Sequence, residues 1–129
     1  MHLDRIRDDI VMLKELTEAE GRNFDDVEVA PQYIVYIGKT REAALENFNK
    51  TQMCAHLTSL RKSTLKGQGA LNHEDINLIG TVEDVVERAN LLGEAGVTHL
   101  LGLYFAANDI EELLDQMQIF AEDVVPRLS

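Results

Sequence analysis

The stretch "LRKSTLKGQG" sets Arg61, Lys62 and Lys66 beside Ser63, Thr64 and two glycines. Fixed cations, hydroxyls and flexible backbone N–H groups together suit a phosphate or a carboxylate. The same residues also read as a solvated helix end, with cations near the negative pole of its dipole. Gly80 and Thr81 pose a similar choice, because they open a helix whose first amides are free to hold an anion while Thr81 is also an ordinary N-cap. His73, in a polar loop, is the histidine kept for acid–base work. His56, His73 and His99 show no metal-ligand spacing, and Cys54 and His56 stand two residues apart on a helix, which points their side chains apart. No nucleophile with its base, no catalytic carboxylate pair and no glycine-rich dinucleotide fingerprint stands out in the chain. Its acidic runs read as helix faces and first-turn charges.

The elements that must position these residues follow from apolar spacing. Leu3, Ile6, Ile10, Leu13 and Leu16 recur at steps of three and four, predicting a helix ended by Gly21. "VEVAPQYIVYIG" then places apolar side chains on both sides of the pleat from Tyr33 to Ile37, the pattern of a buried parallel strand, with Pro31 at an irregular start. Thr40 caps a helix running through "REAALENFNKTQMCAHLTSLRK", whose apolar face is Ala44, Phe48 and Cys54 or Ala55. Ser63 to Asp75 reads as a long polar loop, of the kind that is usually functional or mobile. "INLIG" has the look of a short apolar strand. Thr81 with Asp84 forms a capping-box pattern before a helix buried through Val82, Val85, Val86, Ala89 and Leu92, which Gly96 stops. "VTHLLGLYF" is a second apolar strand. Asn108 with Glu111 opens a last helix, expected to be buried through Ile110, Leu113, Leu114, Met117, Phe120 and Val124 and closed by Pro126. Strands alternating with helices predict an α/β protein with a parallel sheet.

A chain of 129 residues suits one domain, taken as residues 1–129, and its 45% hydrophobic and 27% charged content is that of a globular protein. The net charge of −11 sets it against nucleic acid and anionic membrane surfaces. Cys54 is the only cysteine, so no intrachain disulfide can form. The N-terminus is charged at helical spacing, and no apolar run approaches the ~18 residues of a membrane span. A cytoplasmic location is the expectation.

"IGTVEDVVERANLLGEAGVTHLLGLYF" followed by "NDIEELLDQMQIFAEDVVPRL" resembles the C-terminal part of the bacterial luciferase-like, flavin-dependent monooxygenases. Upstream, "LKELTEAEGRNFDDVEVAPQYIVYIGKTREAALENF" is similar to that family's sixth helix, seventh strand and following insertion. The resemblance implies an incomplete TIM-barrel segment with two parallel strands, Val27 to Ile37 and Val97 to Phe105, and about four helices. It makes "INLIG" a return from the insertion, and residues 40–75 an insertion or lid-like segment. It also implies FMN or a deazaflavin as cofactor and a small organic substrate, in a partial or subunit form of an oxidoreductase that is not catalytic alone. Arg61, Lys62, Ser63, Thr64, Lys66, Gly80 and Thr81 would face the cofactor, with Tyr104 and Phe105 either at its ring or in the core. The alternative is a non-catalytic, oligomerising α/β interaction module. Two parallel strands leave two open edges, so the chain is expected to form a homo-oligomer or to join a chain that supplies the remaining barrel strands.

Overall fold

The computed structural model describes residues 2–67, 72–101 and 103–129. Gln68 and Gly69, in the expected anion-binding stretch, and Gly102, in the expected last strand, lie outside them.

Helix α1 (Leu3–Ala19) turns Ile6 and Ile10 into the core, and Gly21 follows it with a φ of 73°. Beyond Ile10 the helix overhangs its support, leaving Leu13 39% and Leu16 59% exposed where one continuous buried stripe was expected. Strand β1 (Tyr33–Ile37) is buried at all five positions. The expected strand began at Val27. That segment instead runs beside the sheet, held where Val29 N–H donates to Thr98 Oγ1 at 2.9 Å and Val29 C=O accepts from Thr98 N–H at 3.0 Å.

The single helix expected over residues 41–62 is two. Thr40 caps α2 (Arg41–Asn49), the chain turns at Lys50, and Thr51 caps α3 (Gln52–Lys62) by accepting from Cys54 N–H. A one-turn helix, α4 (His73–Ile76), leads into β2 (Leu78–Gly80). Then come α5 (Val82–Ala95), β3 (Leu103–Phe105) and α6 (Ile110–Ile119), the last continued by a π-helical turn over Phe120–Val124 that delivers Phe120 and Val124 to the core.

The sheet is parallel, ordered β2-β1-β3, with Val35 opposite Leu78 on one side of β1 and opposite Phe105 on the other. Among the described residues the strands number three where two were expected, and six α-helices replace about four. The last three residues of "INLIG" are a strand after all, because Leu78 and Ile79 pair with Val35 and Tyr36 and are themselves buried. The sheet is open and is not closed into a barrel.

Each face of the sheet carries its own core. Tyr33, Val35, Ile37 and Leu78 pack on Val85, Val86 and Leu92 of α5 and on Ile6 and Ile10 of α1. On the opposite face Ile34, Tyr36 and Ile79 pack on Ala44, Phe48 and Cys54 of α2 and α3. The crossover from β1 to β2 therefore lies on one face, and the crossover from β2 past β1 to β3 lies on the other. Because the second also runs in the opposite direction, the two have the same hand, as right-twisted strands require.

Two buried carboxamides lengthen the sheet by side chain. Beyond the end of β2, Asn77 Oδ1 accepts the Ile34 N–H at 3.1 Å. Beyond the end of β3, Gln116 on α6 accepts the Ile37 N–H and donates to the Ile37 carbonyl, each at 2.8 Å. The amide thus supplies the donor and acceptor that a longer β3 would have offered, which satisfies backbone groups that would otherwise be buried unpaired.

Candidate functional site

The sequence-derived anion residues fall into two groups with different partners. Arg61 and Lys62 lie in the last turn of α3, and Ser63 Oγ donates to the Ser59 carbonyl at 3.0 Å, which folds the hydroxyl back on its own helix. Thr64 and Lys66 occupy the exposed turn that follows. At Thr81 the hydroxyl accepts the Asp84 N–H at 3.2 Å, while Asp84 Oδ2 accepts the Thr81 N–H at 3.0 Å. The N-terminus of α5 thus already holds an anion, its own aspartate. A Cβ on Gly80 would stand 2.7 Å from Asp84 Oδ2, so this glycine makes room for the cap. Arg41 reaches across from α2 to the other oxygen, with Nη2 2.6 Å from Asp84 Oδ1. Its guanidinium, aided by the Thr81 bonds and opposed by partial burial, holds the Asp84 carboxyl down at about 2.

His73 opens α4 with its ring edge-on to Phe48 at a centroid distance of 5.3 Å. Among the described residues its buried Nδ1 has no hydrogen-bond partner. Desolvation, and next the Arg61 charge, press its pKa below the ordinary value, with Glu74 working against them. Burial and the Arg61 charge thus favour the neutral ring. His56 is exposed, and His99 Nδ1 lies 3.0 Å from Thr98 Oγ1. Among the described residues no three His, Cys, Asp or Glu side chains are grouped to hold a metal ion.

A groove of about 560 Å³ runs along the outer edge of β2, between α2 and α5. Leu78 and Ile79 form its floor, Leu45 and Leu91 its apolar walls, and Arg41 and Arg88 stand on its rim. Arg88 Nη1 donates to the Asp75 carbonyl at 2.5 Å and so ties α5 to α4. Arg88 also lies near the buried Tyr33 hydroxyl, whose pKa desolvation lifts to about 12 against the pull of that cation.

The other edge of the sheet differs in character. Phe105 packs edge-on to Phe120 at 5.5 Å, whereas Tyr104 is 48% exposed. Leu101 before β3 is exposed, and so is the α6 stripe Ile110, Leu114 and Met117, spaced i, i+4 and i+7. These three were expected in the core. They are outside because α6 turns Gln116, not its most apolar side, to the sheet. The same helix anchors the mouth of β1, where Tyr36 OH donates to Glu112 Oε1 at 2.7 Å and Glu112 Oε2 accepts the Asn108 N–H at 3.0 Å. Burial first, and then that bond, raise the Tyr36 hydroxyl to about 12. Asn108 in turn bridges to the α2–α3 turn through Lys50 C=O and Gln52 N–H.

Arg41 lies in the strand-end loop from Gly38 to Arg41 that the sequence marks as a place for function, whereas Asn77, Gln116 and Arg88 were not foreseen from it. Of these only Gln116 carried a local signal, as a carboxamide within an otherwise apolar helix face. No family model matches this chain, and no curated protein matches it.

Proposed function

We propose that the chain is a non-catalytic α/β interaction module that completes its sheet by pairing with a second copy along β3. The observation that carries this reading is the exposed stripe Ile110, Leu114 and Met117 on the helix that follows an edge strand. Parallel strands are normally enclosed on both sides, and an uncovered edge with apolar neighbours promotes association. A two-fold axis between facing β3 strands would pair them antiparallel and join two three-stranded sheets into one of six. The groups nearest the mouth of β1 are engaged with one another through Tyr36, Glu112, Asn108 and Gln116, which favours a structural role for that end of the sheet.

The second reading is a subunit of a flavin-dependent oxidoreductase whose pocket is rebuilt between chains. In its favour, β1 and β3 are parallel neighbours, as the last two strands of a barrel are. Against it, β2 takes the edge of β1 on which the preceding barrel strand would pair. Mass in solution, measured together with visible absorbance after adding FMN, separates the two. A colourless assembly of at least twice 14.5 kDa supports the interaction module, and a flavin spectrum that travels with the assembly supports the oxidoreductase. A stable monomer at high concentration overturns both.

A further inference from the structure

The opposite edge of the sheet has a different chemistry. We propose that the outer edge of β2 takes an extended, lysine- or arginine-bearing segment of a partner polypeptide as a fourth strand. The main chain of β2 argues for a strand. Gly80 C=O accepts from Gly38 N–H at 2.9 Å, so Gly80 turns its backbone groups toward β1. By the alternation of a parallel ladder, the N–H and C=O of Ile79 turn the other way, into the groove. An added peptide strand meets such a donor–acceptor pair in register, with its side chains falling alternately against α2 and α5. Leu45 and Leu91 give each of those walls an apolar contact.

Charge argues for a basic partner. Glu42, Glu74, Asp75, Asp84 and Glu87 line the groove against two cations, Arg41 and Arg88. Arg41 is taken up by Asp84, and Arg88 by the Asp75 carbonyl. Glu42, Glu74 and Glu87 form no ion pair among the described residues. A second copy presents the same negative rim on a chain of net charge −11, so like charge sets this edge against self-pairing. The two ends of the sheet therefore select different partners.

The test is an amide NMR titration of the whole chain with the pentapeptide acetyl-Lys-Val-Lys-Val-Lys-amide. Its controls are the fully N-methylated peptide, which cannot donate to the ladder, and the peptide with glutamate at the three lysine positions. The Ile79 amide is expected to shift and to exchange with solvent about tenfold more slowly, while both controls fail to bind. Glu42→Lys combined with Glu87→Lys, two surface changes, is expected to weaken binding by at least about tenfold, or 1.4 kcal/mol. An Ile79 amide that does not respond to millimolar peptide overturns the proposal. Equal binding of the N-methylated peptide, which would make the groove an amine site, overturns it too. So does an Ile79 amide already protected in a dimer without peptide.

Discussion

Gln116 holds the centre strand at the point where β3 stops, and its partner Ile37 lies 79 residues away in sequence. That distance is why periodicity could not place it, since a glutamine inside an apolar helix face signals a conflict but not its resolution. Gln116→Leu should leave the Ile37 N–H and C=O buried without partners, at about 1–3 kcal/mol for each unsatisfied group. Urea unfolding should show a lower midpoint with an unchanged slope. Asp84 was legible because its partner Thr81 is three residues away. Its folded pKa of about 2 lies below the ordinary 3.8, so the fold favours the carboxylate, and this contribution is lost as pH falls through that interval. His73 acts at higher pH. Its folded pKa lies below the ordinary 6.5, so the unfolded chain binds the proton more readily, and stability drops as pH falls below 6.5. His73→Phe keeps a ring against Phe48 and removes the titration, so the melting temperature should fall less steeply as pH drops below 6.5. An unchanged profile would exclude His73 as its source.

At the scale of elements, the alternation of strands and helices, the caps at Thr40 and Thr81 and the stop at Gly96 were all readable from local spacing. β2 was readable as well. Its apolar run looked like a strand, and the family resemblance reassigned it to a return loop, yet burial and pairing with β1 show the local pattern to be the better guide. The last helix was misread for a physical reason. It carries two apolar stripes, one through Leu113 and Phe120 and one through Ile110, Leu114 and Met117, and only tertiary packing decides which faces inward. Replacing Leu114 and Met117 together by lysine should therefore change folding stability by no more than about 0.5 kcal/mol at each site. Self-association should be abolished. A large loss of urea stability in that variant would mean the stripe is buried within one chain.

The molecule as a whole is an open three-layer sandwich whose centre strand is paired along both edges and whose two outer strands are each paired along one. Sheet order was beyond the sequence, because which side of β1 receives β3 depends on the face taken by each crossover. Net charge opposes the pairing proposed at β3. With a screening length of about 8 Å at physiological salt and about 30 Å at 0.01 M, association should strengthen as salt is raised. Sedimentation velocity over a concentration series, at low and high salt, reads the pairing along β3 without a probe. Pairing along β3 should give a species of twice 14.5 kDa that grows with concentration and salt and disappears when Leu114 and Met117 are replaced by lysine. A single 14.5 kDa species under every condition would contradict it.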